Sequence, residues 1–118
     1  MNNNFSLSSR SAQDVAVMMP KGYINDMGAV RLEQTSDVFL GKGVKKIIVN
    51  FSDVQFINTI GISIFTGIVQ KIQEHESLLC FTNMKKIHLD VFEMVGLIKY
   101  VKVFKDEEAA LTFLKGRS

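Results

Sequence analysis

The sequence predicts a mixed α/β fold, with a central, mostly parallel sheet of four to five strands, an N-terminal hairpin and about four helices. Three observations carry this expectation. The runs Ile47-Ile48-Val49 and "LLCFT" (Leu78 to Thr82) are continuously apolar, as strands buried on both faces must be. Around them apolar residues recur at helical spacing, most fully at Ile64, Phe65, Ile68, Val69 and Ile72. Finally, 118 residues with 47% hydrophobic, 22% charged and a single proline suit one globular domain with its own core. Strands alternating with helices then give helices layered on a sheet.

Taken in order, the opening "MNNNFSLSSRSAQ" is rich in Asn and Ser and lacks periodicity, so residues 1–13 read as a flexible tail and 14–118 as a single domain. "DVAVMM", the stop "PKG" and the resumed "GYIN" read as a hairpin at a sheet edge, which also suits Pro20, a residue that fits only outside a central strand. From Asn25 or Asp26 to about Leu40 the spacing predicts a helix, with Leu32 and Phe39 on one side and "GKG" at Gly41 to Gly43 ending it. "VKKIIVNF" is the central strand and leads toward a helix from Ile60 to about His75. "LLCFT" is the next buried strand. Ile87, Val91, Met94 and Val95 define the apolar face of a further helix that stops at Gly96. "VKVF" is a short last strand, flanked by Lys99, Lys102 and Lys105, which shield an edge or face solvent. In the last helix Asp106 is the N-cap, Glu107 and Glu108 occupy the first turn, and Lys115 and Gly116 close the end.

Several kinds of chemistry find no residues to perform them. Fourteen Lys and Arg against 12 Asp and Glu leave a formal charge of +2, scattered without a basic stripe, so nucleic acid is not an expected partner. His75 and His88 read as surface histidines with no Cys or carboxylate cluster at ligand spacing, so no metal is expected. A Walker motif, a G-x-S-x-G elbow and a dinucleotide turn are all missing, and so is a carboxylate pair of glycosidase type. No cofactor and no enzymatic activity are expected. Cys80, alone in an apolar run, reads as a small buried hydrophobe, which favours a reducing compartment. No apolar run reaches the roughly 18 residues that span a bilayer; the expectation is a cytoplasmic protein that does not insert into a membrane.

What remains is the passage "VQFINTIGISIFTGIVQ", where Asn58, Thr59 and Gly61 interrupt two runs that ask for burial. A helix begins there, and a helix N-terminus carries unpaired N–H groups and a partial positive charge. A hydroxyl at that place is either a cap or a position where a phosphate would be stabilised. Beyond the carboxyl end of a strand is also where α/β proteins usually expose function.

The order "VNFSDVQFINTIGISIFTGIVQKI", followed after one strand by "VFEMVGLIKYVKVFKDEEAAL", resembles the STAS domain of anti-sigma factor antagonists, from about residue 14 to 115. In that family a buried strand enters a D-S-[ST]-G-[LI] turn where a helix starts, and a later helix ends in [ED]-x-x-G-L. Glu93, Met94, Val95, Gly96 and Leu97 fit the second pattern. The resemblance implies the layered STAS fold and a binding module with no catalytic residues, cofactor or metal. It implies as partner a serine/threonine kinase-type anti-sigma factor, which switches the module off by phosphorylating it, and a phosphatase that reverses this. The phosphoacceptor serine falls on Thr59, with Ser63, one turn into the helix, as the weaker candidate. The partner-binding surface falls on Asn25, Asn58, Thr59, Ile60, Gly61 and Ile62. Asn58 and Asn25 stand where the family carries acidic residues, and Ile60 stands where it carries a second hydroxyl. The alternative role is that of a soluble STAS subunit bound to the ATPase of a lipid-transport ABC complex, which needs no phosphorylation.

Overall fold

The computed structural model describes residues 5–117. Its elements are β1 (Phe5–Ala12), β2 (Val15–Ile24), α1 (Asp26–Gly41), β3 (Lys46–Asn50), β4 (Asp53–Ile57), α2 (Thr59–Glu74), β5 (Leu78–Thr82), α3 (Lys86–Met94), a 3-10 turn at Ile98–Tyr100, β6 (Lys102–Phe104) and α4 (Glu107–Leu114). One sheet runs in the order β1-β2-β3-β5-β6, and β4 pairs with β2 beyond the end of β3. The β1–β2 pair is antiparallel and every other pair is parallel. The expected class, hairpin and four helices are therefore present, with six strands where four to five were expected.

β3 is central and sealed on both sides, Ile47, Ile48 and Val49 being at most 1% exposed. Successive residues face opposite layers. Ile47 and Val49 meet Leu32 of α1, Phe65, Ile68, Val69 and Ile72 of α2, and Phe92 of α3. Ile48 joins Val15, Val17 and Cys80 under Ala110 and Leu114 of α4. Phe51, Phe65, Phe81 and Phe92 form the heart of the larger layer, every pair among them having ring centroids 5.0 to 5.9 Å apart.

Four expectations are corrected. The tail expected over residues 1–13 is a strand from Phe5 to Ala12, residues 1–4 lying outside the described part. Its serines have little strand preference of their own. It forms because the apolar strand β2 needs a neighbour, and because Phe5 and Leu7 pack against the core below α1. Gly28 of α1 makes room for this, since a Cβ there would come within 2.8 Å of the Phe5 ring. The hairpin accordingly turns at Gln13 and Asp14, and "VAVMMPKGYI" is one continuous strand instead of two. Pro20 sits in it between Met18, the last residue paired with β3, and Lys21, the first paired with β4; its missing N–H falls where β2 changes partners.

The third correction concerns the strand before the candidate turn. β3 is followed by Phe51 and Ser52 and then by β4, which runs on along β2 in the same direction. Met18 pairs with Val49, Lys21 with Asp53 and Tyr23 with Phe56. The outer strand thus gains one residue on β2 at each of two irregularities, and each gain bends it away from its former line. The fourth is the orientation of α3. Ile87, Met94 and Val95 are 67%, 83% and 50% exposed, while His88 and Phe92 point inward. His88 is a buried residue and not a surface one. Its Nε2–H reaches the Gln55 carbonyl at 3.2 Å and ties α3 to β4.

Candidate functional site

The parallel strands β2 and β4 end side by side, Ile24 opposite Ile57. From these two ends α1 and α2 start, and the two helices pack on each other. Both begin on asparagine. Asn25 Oδ1 accepts from Gly28 N at 2.9 Å, and Asn58 Oδ1 accepts from Gly61 N at 2.7 Å. An extended residue whose side chain bonds the third N–H of the helix is an N-cap. The question left open by the sequence is thereby answered. Asn58 does the capping, and Thr59 occupies the first helical position with its side chain exposed.

Gly61 has a separate reason to be glycine. The amide of Asn58 donates to the Ile24 carbonyl at 3.1 Å, drawing the start of α2 onto the end of β2. A Cβ on Gly61 would lie 2.7 Å from that same carbonyl oxygen and 3.1 Å from Asn58 Oδ1. Contacts under 3 Å between carbon and backbone oxygen are excluded sterically, so the close approach of helix to strand depends on the bare Cα.

The residues singled out from the sequence are therefore contiguous in space but face two ways. Thr59, Ile60 and Ser63 are exposed, Ile60 to 56%. Asn25 and Asn58 are half-buried as caps, Gly61 is buried, and Ile62 packs against the core. The first turn of α2 carries no acidic residue, so nothing there offsets its partial positive charge; the first turn of α1 carries Asp26.

Periodicity did not reveal what surrounds this turn. Phe56, two residues before Asn58, is 62% exposed and meets Tyr23 edge-on at 5.6 Å. Met27 in the first turn of α1 is 74% exposed. Between β4 and α3 lies a groove of about 110 Å³ lined by Gln55, Phe56, Ile57, Ile87, His88 and Val91. The signal that could have found it was the surplus of apolar residues on α3, more than one buried face can use. Among the described residues no helix is long and apolar enough to cross a membrane.

With this geometry in place, the comparison with known proteins is direct. The chain belongs to the STAS domain family, which it matches over residues 7–110. A protein of Thermotoga neapolitana whose name assigns it to the anti-sigma factor antagonists, as a homolog of TM1081, is 24% identical over 106 residues, covering 89% of this chain and 94% of that one. The crystal structure of TM1081 itself, from Thermotoga maritima, superposes with a TM-score of 0.83 at 22% identity, covering 92% and 94% of the two chains. The anti-sigma factor antagonist SpoIIAA in its unphosphorylated form gives 0.75 at 18% identity over 96% and 99%. The phosphorylated form of the Bacillus SpoIIAA gives 0.73 at 18% over 95% and 100%. These likenesses establish that the six-stranded, four-helix arrangement is the STAS fold.

Proposed function

We propose that this protein is a non-enzymatic binding module of the anti-sigma factor antagonist type, acting in the cytoplasm on transcription. It docks the Thr59 turn on a serine/threonine kinase-type anti-sigma factor and is released when that kinase phosphorylates Thr59; a phosphatase restores the docking form. The observation that carries this reading is that Asn58 supplies the cap, which leaves the Thr59 hydroxyl exposed at the head of α2. That relatives are named anti-sigma factor antagonists, and that SpoIIAA exists in a phosphorylated form, supports the same reading.

The switch follows from what surrounds the hydroxyl. Phosphorylation adds about −1.5 to −2 charges. In the free protein this charge sits well beside the N–H groups of an α2 first turn that holds no carboxylate and next to the neutral Asn58 cap, with Asp26 of the α1 first turn as the acid on the adjoining helix. Against a partner the balance reverses. Ile60, Phe56 and Met27, on the three elements that meet at this turn, are exposed apolar residues, and a partner that covers the turn must strip water from a dianion, at a cost of several kcal/mol unless it supplies a cation. The unmodified hydroxyl carries no such cost.

The test is to incubate the purified protein with the candidate kinase, ATP and magnesium, to locate the phosphate by mass spectrometry, and to compare partner binding of wild type, Thr59→Ala and Thr59→Glu. The expected result is phosphate on Thr59, none in Thr59→Ala, and binding lost in Thr59→Glu alone. Equal binding of the two variants refutes the switch.

A further inference from the structure

We infer that the outer edge of β1 is a self-association surface, on which a second copy of this chain adds its own β1 antiparallel to make one continuous sheet across a twofold axis.

The two ends of the sheet are treated differently. At one end β6 has only three residues, with Lys99, Lys102 and Lys105 around it, and a short lysine-guarded strand resists further pairing. At the other end β1 runs for eight residues, in unbroken register with β2 from Phe5 opposite Gly22 to Ala12 opposite Val15. It contains neither proline nor bulge. Its single charge, Arg10, is held by Glu107 of α4 in the same molecule. Among the described residues, the row of N–H and C=O groups on its free side thus has none of the usual defences.

The strand's own sequence identifies the occupant. Alternation places Phe5, Leu7, Ser9 and Ser11 on the face toward α1, and Ser6, Ser8, Arg10 and Ala12 on the other. A twofold axis through Ser8, normal to the sheet, keeps each face continuous. It sets Phe5 against Ser11, Leu7 against Ser9, Ser6 against Arg10 and Ser8 against its own copy. Large side chains meet small ones throughout, and the two arginines do not oppose each other. Phe5 and Leu7, half-buried in one chain, gain cover from the second. A foreign extended peptide would find the same backbone groups but only serines beside them, without the side-chain pockets that give strand addition its specificity.

Sedimentation equilibrium of the full chain over a hundredfold range of concentration tests this, together with two variants at an exposed position. Wild type should pass from the mass of one chain toward twice that mass. Ser8→Lys, which sets two lysines face to face at the axis, should weaken the dimer at least tenfold while its circular dichroism stays native. Ser8→Cys should give a disulfide-linked dimer under mild oxidation, the native Cys80 being buried and unable to compete. A single-chain mass for wild type at every concentration overturns the inference. So does a Ser8→Lys protein that dimerises like wild type, or a Ser8→Cys protein that stays monomeric in oxidant.

Discussion

Replacing Gly61 with alanine should destabilise the protein, although alanine is the better helix former. In an open helical position the exchange gains about 0.5–1 kcal/mol. At Gly61 the added methyl would stand 2.7 Å from the Ile24 carbonyl oxygen, a backbone atom that cannot swing aside. Forcing such a contact costs about 1–3 kcal/mol. Relieving it by tilting α2 away lengthens the hydrogen bond that the Asn58 N–H donates to the Ile24 carbonyl and disturbs the Asn58 cap, whose loss alone costs about 1 kcal/mol. The net expectation is a loss of about 2 kcal/mol, or roughly 1 M in urea midpoint at the slope usual for small domains. Gly67 supplies the control on the same helix. A Cβ there meets nothing within 4 Å, so Gly67→Ala should raise the midpoint by the propensity gain. Urea unfolding followed by circular dichroism reads both. A Gly61→Ala protein as stable as wild type would show that α2 is not held against the end of β2 in the way described.

Phe92→Ala should cost about 3–5 kcal/mol in the same assay, because Phe92 is fully buried among Phe51, Phe65 and Phe81; Met94→Ala, 83% exposed on the same helix, should change little. Lys46 is buried to 5% exposure and donates to the exposed Asp14 at 2.9 Å, and this hydrogen bond lowers the Asp14 carboxyl from its ordinary value of 3.8. A lowered carboxylate contributes stability that is complete above the unfolded value and is lost as pH falls through the folded one. The stability gap between wild type and Asp14→Asn should therefore be constant above about pH 5 and narrow below about pH 4; a gap that persists at lower pH counts against the pair. Burial pushes the Cys80 thiol up to about 11. At pH 8 a thiol reagent should react with it only as fast as the protein unfolds, and at once in denaturant; prompt reaction of the native protein would contradict the sealed α4 layer.

The elements that the sequence displayed plainly are those whose evidence is local. α2 has one wide apolar face and an Asn before its first turn, and α4 has Asp106, whose side chain accepts from Ala109 N at 2.9 Å as a cap should. The elements that were hidden owe their form to distant partners. β3 and β4 read as one passage because only Phe51 and Ser52 separate them and no glycine or proline marks the bend; the bend comes from the two extra residues gained along β2. β1 exists to cover β2. α3 is the most instructive case, since its nine residues and the C-cap Val95 carry two stripes, Ile87-Val91-Met94-Val95 and His88-Phe92, and both have helical spacing. Periodicity favours the longer stripe. The fold buries the other, because one phenylalanine completes the cluster of Phe51, Phe65 and Phe81, and His88 bonds the Gln55 carbonyl of β4. The same inversion hid the surroundings of the site. The position of Thr59 at a helix start could be read from its neighbours in the chain, whereas the exposure of Phe56, Met27 and Ile60 could not, since an apolar residue at regular spacing reads as core. Where burial already has enough claimants, a surplus of apolar side chains at helical or strand spacing marks a surface that something else covers.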